Sequence, residues 1–249
     1  MQLHVFFTPT AVTSVHSSAE DVYIIIDVIR ATTTLSVVFE QGATRVLAAD
    51  TLARAERAAH KVPGRLLCGE REARPLPGFD YGNSPAQFSQ TNLAGRELIL
   101  TTTNGTRAFF ACPEQSTRLA GSFYNAQAVT ARALTIAQER NSNIALVCAG
   151  ELNYFALDDA TCAGYLALEL QRHYPAMQLH ESVYAAAALY HAYTPPKLLD
   201  YCSSAQTVRD AGLEEDLAFC MQTNKSSRVP MVMGKDPATG LLVIEPYLA

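Results

Sequence analysis

The stretch VYIIIDVIRATTT, residues 22–34, constrains the fold of this chain more than any other. Five consecutive apolar residues, Val22 to Ile26, lead directly into Asp27. Such a run is typical of a strand covered on both faces, as in a parallel sheet with helices on either side. Arg30 follows, and three threonines then open a predicted helix. A carboxylate, a guanidinium and hydroxyl groups are therefore expected at the carboxyl end of a strand, where open α/β sheets place their ligands.

This stretch has two interpretations. In the first, Asp27 holds a metal ion, Arg30 binds an anion through two parallel hydrogen bonds, and the helix N-terminus favours negative charge. In the second, it is an ordinary strand end with a salt bridge and a threonine N-cap. The stretch alone leaves both open.

The chain as a whole alternates strand-like and helix-like segments. We predict strands at residues 3–7, 22–29, 46–49, 65–69, 97–103, 119–122 and 143–149. Helices are predicted at residues 35–41, 51–61, 106–112, 125–140 and 158–173. Repeated β-α units predict an α/β fold, a three-layer α/β/α arrangement around a mostly parallel sheet, in a single domain over residues 1–249.

The segment 175–249 breaks this alternation. We predict helices at residues 182–193, 197–211 and 213–222, followed by a hairpin with strands 229–233 and 241–245 that turns at residues 236–240. This segment is expected to form a C-terminal subdomain or an added layer. The apolar helix segment Val183 to Leu189 is either core or the subunit interface of a homodimer.

The composition narrows the classes of partner. Apolar residues make up 49% of the chain and charged residues 17%, which indicates a compact globular protein. A net charge of −5 argues against a nucleic-acid partner. The chain begins without a basic leader, its longest apolar stretch is too short to span a membrane, and its six cysteines form no C-x-x-C pair. We therefore expect a cytoplasmic protein with reduced thiols.

A second candidate segment, LILTTTNGT at residues 98–106, has the same order as the first: an apolar strand, three threonines and a helix. The Asn104-Gly105 turn and Thr106 at a helix start would form a phosphate cradle. The alternative is an ordinary turn with Thr106 as the N-cap. The similarity of TTTNGT to RATTT favours an anion site shared by the two segments.

Two further segments carry clustered charges. The loop GEREARPLPGFDYGNSP, residues 69–85, is either solvated or folded over a ligand, and it holds Glu70, Arg71, Arg74, Asp80, Asn83 and Ser84. In CAGELNYFALDDATCAG, residues 148–164, Glu151 lies in a loop and Asp158-Asp159 begin a helix. The acidic pair either matches the helix dipole or, with other carboxylates, binds Mg²⁺, which prefers oxygen ligands.

Several known hydrolase signatures can be set aside. Ile29 stands where haloacid-dehalogenase enzymes need a second aspartate. Cys68 and Arg74 match the C-x5-R spacing of cysteine phosphatases, but Glu70 and Glu72 inside that loop would repel a phosphate. No Walker A, Gly-x-Gly-x-x-Gly or H-E-x-x-H motif occurs. Cys148, at a strand end, is either an inert core residue or a nucleophile.

Together, IDVIRATTT, GFDYGNSP, TTTNGT, the Ser122-Phe123-x-Asn125 segment and CAG…DDATCAG resemble the 2-phosphosulfolactate phosphatase (ComB) family, over nearly the whole chain. The resemblance implies an α/β/α fold and a Mg²⁺-dependent phosphatase. Such an enzyme converts 2-phospho-3-sulfolactate into 3-sulfolactate and phosphate, a step of coenzyme M synthesis in methanogens.

The matching positions and their chemistry define the predicted site. The catalytic residues would be Asp27, Arg30, Glu70 and Asp159. The metal ligands would be drawn from Asp27, Glu70, Asp158 and Asp159. Substrate would be bound by Thr32, Thr33, Arg71, Asn83, Ser84, Asn104, Gly105 and Thr106. Arg71 or Arg74 would receive a second anionic group such as a sulfonate, and Glu70 or Asp159 would orient or deprotonate the attacking water.

Two alternatives to this function remain at the level of the sequence. One is a hydrolase that uses Cys148 as its nucleophile without a metal. The other is a non-catalytic protein that binds a phosphorylated metabolite, although such a receptor gains little from added carboxylates.

Overall fold

An eleven-stranded sheet runs through the residues that the computed structural model describes, 1–15 and 17–247. Its strands are β1 (Gln2–Phe6), β2 (Val22–Ile26), β3 (Arg45–Ala48), β4 (Leu66–Arg71), β5 (Arg74–Pro75), β6 (Glu97–Thr101), β7 (Thr117–Gly121), β8 (Ile144–Cys148), β9 (Gln178–Leu179), β10 (Val229–Lys235) and β11 (Leu242–Tyr247). The predicted single domain, 1–249, includes His16, Leu248 and Ala249, which lie outside the described residues.

Helices cover both faces of the sheet, which confirms the predicted α/β/α class. They are α1 (Pro9–Thr13), α2 (Ala31–Glu40), α3 (Leu52–Lys61), α4 (Pro85–Ser89), α5 (Gly105–Ala111), α6 (Ala126–Arg140), α7 (Leu157–His173), α8 (Glu181–Ala192), α9 (Ser203–Asp210) and α10 (Glu214–Cys220). Over the described range no helix combines the length and the apolar composition needed to cross a bilayer.

The sheet consists of two parallel groups joined by the C-terminal hairpin. Strands β7, β2, β8, β1 and β9 form one group, and β4, β6 and β3 form the other. The hairpin β10–β11 lies between them, antiparallel to β7 on one side and to β3 on the other. The hairpin therefore lies in the interior of the sheet, whereas the sequence predicted it as part of an added layer or subdomain.

The pairing pattern explains how distant strand ends meet. Three antiparallel pairings in succession separate β7 from β3, so the two groups run in opposite directions across the hairpin. A twist of about 20–25° per neighbouring strand, over the five steps from β2 to β6, rotates one group by roughly 100–125° relative to the other. The end of β6 is thereby turned toward the end of β2. A Cβ atom built on Gly105, just after β6, would lie 2.5 Å from Asp27 Oδ2, just after β2.

Helix α2 lies between the two groups and brings its N-terminus to this meeting point. Nine of its ten residues are buried. It shares a hydrophobic cluster with Ile25 of β2 and Val46 of β3, one residue from each group. The helix begins at Ala31, four residues before the predicted start, and the hydroxyls of Thr32 and Thr33 in its first turn donate to the carbonyls of Asp27 and Val28.

Two other boundaries differ from prediction near the site. The predicted helix 197–211 is a 3₁₀ turn, Lys197–Asp200, followed by α9, which begins after Cys202. The predicted loop after Gly69 begins as strand, because β4 continues to Arg71 and pairs with β5 in a short hairpin. Both changes place additional residues at the carboxyl ends of the strands.

Candidate active site

A cavity of about 400 Å³ opens where the ends of β2, β4, β6 and β8 converge. This volume is in the range of small-molecule sites. Eight of the predicted site residues line it: Asp27, Arg30, Glu70, Arg71, Asn83, Asn104, Asp158 and Asp159. Four segments that are distant in the sequence thus contribute to a single site.

Asp27 lies at the end of β2, and its Oδ1 accepts a hydrogen bond from the Ala31 N–H at 3.3 Å. Burial above all, together with the charges of Glu70 and Asp158, raises the pKa of this carboxyl to about 7, against the opposing effects of the Ala31 N–H and Arg30. A carboxyl group with a pKa this high lies in an environment in which an added positive charge is favourable.

Asp159, in the first turn of α7, ties two strand ends together. Its Oδ1 accepts from the Val28 N–H and its Oδ2 from the Gly150 N–H, both at 2.9 Å. Burial first, and then the charges of Asp158 and Asp27, hold the pKa of Asp159 well above its ordinary value. The side chain is therefore fixed in direction while its charge is poorly compensated by the protein.

Asp158, next to Asp159 in α7, is held by a side chain of another helix: its Oδ2 accepts from Ser204 Oγ at 2.7 Å. Its pKa is also raised, by burial above all, with a contribution from Glu151. Ser204 belongs to α9, so this bond joins the N-termini of two helices, α7 and α9, at the cavity.

Glu70 joins β4 to β6. Its Oε1 accepts from the Thr103 N–H at 2.8 Å and from Thr103 Oγ1 at 3.0 Å, and its Oε2 accepts from the Ala73 N–H at 3.1 Å. Glu70 is 7% exposed and lines the cavity. Like Asp159, it is held by backbone donors in one orientation.

Arg30 is almost fully enclosed, at 3% exposure. Its Nη1 donates to Asp216 Oδ2 at 2.7 Å and its Nη2 donates to the Ala73 carbonyl at 2.7 Å. A guanidinium has five N–H donors, so three remain for a ligand in the cavity that Arg30 lines.

The charge of the lining is unbalanced. Among the described residues it carries two arginines, Arg30 and Arg71, against six carboxylates, namely Asp27, Glu70, Glu72, Glu151, Asp158 and Asp159. Within that same part of the chain, no three His, Cys, Asp or Glu side chains are grouped as a preformed metal site. The Oδ1 atom of Asn83, which is 3% exposed, has no hydrogen-bond partner among the residues described.

Helix N-termini partly offset this negative charge. Helices α2, α5, α7 and α9 all begin at the cavity, where their partial positive charge lies. In the described structure their N-cap residues, Arg30, Asn104, Ala156 and Cys202, make no side-chain capping bond. The arrangement suits an anion bridged to the carboxylates by a cation.

Two predicted substrate ligands, Thr32 and Thr33, do not reach the cavity. Both are fully buried, and their hydroxyls donate to the carbonyls of Asp27 (2.9 Å) and Val28 (3.0 Å). They therefore stabilise the turn from β2 into α2. The sequence shows that these hydroxyls are present, but it does not show that they bond to the backbone of the turn and not to a ligand.

Three more predicted ligands support the cavity from outside its lining. Ser84 caps α4 by accepting from the Gln87 N–H, and Thr106 forms reciprocal bonds with Thr102. Gly105 packs directly against Asp27. Arg74 is also outside the lining: it is exposed and donates to the Asp210 carbonyl at 3.1 Å.

Some residues of the cavity and its immediate support were not predicted from the sequence. Thr103 lay inside the quoted TTTNGT motif but was not assigned. Ser204, Thr207 and Val208 lie on α9, whose start at the cavity was concealed within a longer predicted helix. Asp216 stands in the acidic run Glu214-Glu215-Asp216, which is typical of a solvent-facing helix start.

The structure argues against Cys148 as a nucleophile. The residue is fully buried in β8 and belongs to the hydrophobic core. Burial, followed by the charges of Asp159 and Cys162, raises its pKa well above the ordinary thiol value. Because the thiolate is the reactive form, this cysteine is an inert core residue.

Comparisons with known proteins identify chains of similar sequence. A family model described as 2-phosphosulpholactate phosphatase matches residues 7–235. A protein of Thermus thermophilus called "Probable 2-phosphosulfolactate phosphatase" is 35% identical over 222 residues, covering 88% of this chain and 91% of that protein. A protein of the same description from Deinococcus radiodurans is 36% identical over 225 residues, covering 89% and 92%. A third, from Carboxydothermus hydrogenoformans, is 30% identical over 230 residues, covering 92% of each.

Proposed function

The chain belongs to the 2-phosphosulpholactate phosphatase family, and from this premise we propose that it hydrolyses a small anionic phosphate monoester, 2-phospho-3-sulfolactate, to 3-sulfolactate and phosphate. The observation that carries the proposal is the convergence of Asp27, Glu70, Asp158 and Asp159 with Arg30 in one cavity. Carboxylates together with a guanidinium are the groups that bind a metal-bridged phosphate.

We propose Mg²⁺ as the cofactor, and the donors present are compatible with it. They are carboxylate oxygens and the unpartnered amide oxygen of Asn83, the hard ligands that Mg²⁺ prefers. Mg²⁺ binds few protein ligands and keeps water and phosphate oxygens as its other ligands. A site without a compact preformed cluster of protein ligands is therefore compatible with Mg²⁺. When bound, the ion would neutralise charge on the phosphoryl oxygens.

The protein's own groups would bind the rest of the phosphoryl group. Arg30 lines the cavity with three N–H groups beyond the two bonded to Asp216 and Ala73, and the N-termini of α2 and α5 lie beside it. These positive groups would stabilise the charge that develops on the oxygens in the transition state. Glu70 and Asp159, fixed by backbone donors, would orient the attacking water, and Glu70 or Asp159 would accept its proton.

Arg71 is our candidate for the sulfonate. It lines the cavity, with Nη1 donating to the Glu70 carbonyl at 2.6 Å and Nη2 reaching Thr101 Oγ1 at 3.4 Å, whereas Arg74 lies outside the lining. We expect Arg71→Ala to lower kcat/KM for 2-phospho-3-sulfolactate relative to 2-phospholactate, which lacks the sulfonate, by about tenfold or more. Arg74→Ala is the matched control and should leave the ratio unchanged.

The first experiment is phosphate release from 2-phospho-3-sulfolactate and a panel of 2-phosphohydroxy acids, with Mg²⁺ and with EDTA. Metal-dependent release with preference for the sulfonate supports the whole proposal. Metal-dependent release from another member of the panel moves the substrate but keeps the site. Binding of these compounds without turnover would instead support the non-catalytic alternative.

The remaining parts of the proposal follow from the resemblance and the composition. We propose that the product enters coenzyme M synthesis, that the protein is cytoplasmic, and that its net charge of −5 keeps nucleic acid from being a partner. Helix α8 exposes Tyr184, and dimerisation through this helix stays a prediction that the mass in solution would test.

A further inference from the structure

Asp216 is a buried carboxylate in α10, outside the segments that carry the motifs. It is 1% exposed, although its neighbours Glu214 and Glu215 are exposed to solvent. A buried carboxylate in an otherwise solvent-facing acidic run calls for a specific partner, since burying a charge is costly unless it is paired and hydrogen-bonded.

Three donors from two distant segments satisfy this carboxylate. Its Oδ2 accepts from Arg30 Nη1 at 2.7 Å. Its Oδ1 accepts from Ser84 Oγ at 2.6 Å and from the Ala86 N–H at 3.1 Å. Asp216 thereby connects the start of α2 to the start of α4.

The contact defines the orientation of Arg30. Its second terminal nitrogen, Nη2, donates to the Ala73 carbonyl at 2.7 Å. Two acceptors on two different nitrogens fix the plane of a guanidinium, because the group is flat and its donors form a rigid fork. Three N–H groups of Arg30 are left over from these two bonds, and the residue lines the cavity.

From this geometry we infer that Asp216 is a positioning residue for the reaction, which orients Arg30 toward the phosphoryl group. The inference rests on the proposed function, in which Arg30 contacts the phosphoryl oxygens. Asp216 does not line the cavity and so acts only through Arg30. The C-terminal helix α10 is thereby coupled to catalysis.

Asp216→Asn is the first test. The asparagine keeps an oxygen for Ser84 and Ala86 but turns an N–H donor toward Arg30 Nη1. We expect kcat/KM for the phosphate ester to fall about tenfold to a hundredfold, since small misplacements of a positioned group cost this much. Inorganic phosphate should also become a weaker competitive inhibitor. Glu215→Gln, the same chemical change one residue earlier on the exposed side, should leave both values within twofold.

A double-mutant cycle with Arg30→Lys separates positioning from a structural role. If Asp216 acts through Arg30, Asp216→Asn should lower kcat/KM by less than about twofold when the Arg30→Lys substitution is already present. A purely structural role would give the same loss in both backgrounds and would overturn the inference. Thermal unfolding of each variant shows whether the fold is retained.

A second variant covers the case in which Asp216→Asn does not fold. Ser84→Ala removes one hydrogen bond from the Asp216 carboxylate and leaves the ion pair. We expect a loss of about threefold in kcat/KM with Arg30 present and none in the Arg30→Lys background. Equal losses in both backgrounds would overturn the inference.

The two proposals fail in different ways. Absence of phosphate release by the unmodified protein rejects the proposed function. Phosphate release that Asp216→Asn retains within twofold of the unmodified protein rejects only the role of Asp216.

Discussion

The strand-to-helix junctions after β2 and after β6 share one hydrogen-bonded threonine turn but differ in the residues beside it. In the first, Thr32 Oγ1 donates to the Asp27 carbonyl at 2.9 Å and accepts from the Asp27 N–H at 3.2 Å. In the second, Thr106 Oγ1 donates to the Thr102 carbonyl and accepts from its N–H, both at 3.2 Å. The threonine fixes a strand-to-helix turn in each case, and the residue that it holds decides whether the junction is charged.

The comparison shows what the shared pattern of RATTT and TTTNGT encodes. The repeated threonines encode a turn, and the neighbouring residues supply the ligands: Asp27 and Arg30 after β2, Thr103 and Asn104 after β6. Only the first junction brings formal charges to the cavity. We therefore expect the two junctions to respond differently to equivalent substitutions.

Asp27→Asn should produce the largest effect on activity. Loss of the charge from the β2 junction should lower kcat for phosphate release by about a hundredfold to a thousandfold, as when one strong electrostatic contact is removed from an active site. Steady-state kinetics with saturating Mg²⁺ would measure it. Asp200→Asn, at an exposed aspartate, is the control and should be unchanged. An Asp27→Asn variant with full Mg²⁺-dependent activity would remove the central element of the proposed site.

Gly105→Ala tests the contact between the two junctions. The new Cβ would lie 2.5 Å from Asp27 Oδ2 and 2.7 Å from Ala31 Cβ, so the β6 junction must move away from the β2 junction. We expect a loss of about 1–3 kcal/mol in the free energy of unfolding, together with lower activity. Urea unfolding would measure the loss. The cost should be smaller in an Asp27→Ala background, and an equal cost there would contradict this explanation.

The pH dependence of stability should distinguish the charged junction when no metal is present. The pKa of Asp27 rises from 3.8 in the unfolded chain to about 7 in the fold. The contribution of this carboxyl to the free energy of unfolding is therefore complete below about pH 4, and it is lost as the pH rises through 7. Asp27→Asn should therefore stabilise the EDTA-treated protein at pH 8 by about 1–3 kcal/mol and have little effect at pH 4. Denaturant unfolding at both pH values would test this, and destabilisation at pH 8 would contradict it.

The smallest effects should come from the paired substitutions Thr32→Val and Thr106→Val. Each removes one hydroxyl that serves as donor and acceptor for a single buried residue, so each should cost about 1–2 kcal/mol of stability. The stability losses should be similar, whereas activity should fall more for Thr32→Val because Thr32 holds Asp27. Equal activity losses would indicate that the turns, and not the charge that one of them holds, control the site.

The sequence predicted the parts of this site that depend on local pattern. The apolar run 22–26 identified β2, and Asp27 at its end identified the ligand edge of the sheet. The start of α4 at Ser84 and Pro85 is also encoded locally, because an N-cap serine followed by a proline at the first helical position is a sequence signal.

The parts that were missed depend on long-range pairing. The hairpin strands β10 and β11 have ordinary strand patterns, and nothing in them indicates insertion between β7 and β3. The partner of Arg30 is Asp216, 186 residues away, and an acidic helix start does not indicate which residue it will pair with. The break at Cys202 is likewise marked by no glycine or proline, so the local sequence does not indicate it.

The position of the C-terminal hairpin also has a consequence for biosynthesis. Residues 229–247 follow every other strand in chain order, yet they form the bridge in the sheet between its two parallel groups. A ribosome-bound chain that lacks them presents the unpaired edges of β3 and β7, which invite non-native strand pairing. The cavity spans both groups, so we expect its completion to be among the last events during synthesis and the nascent chain to depend on protection until then.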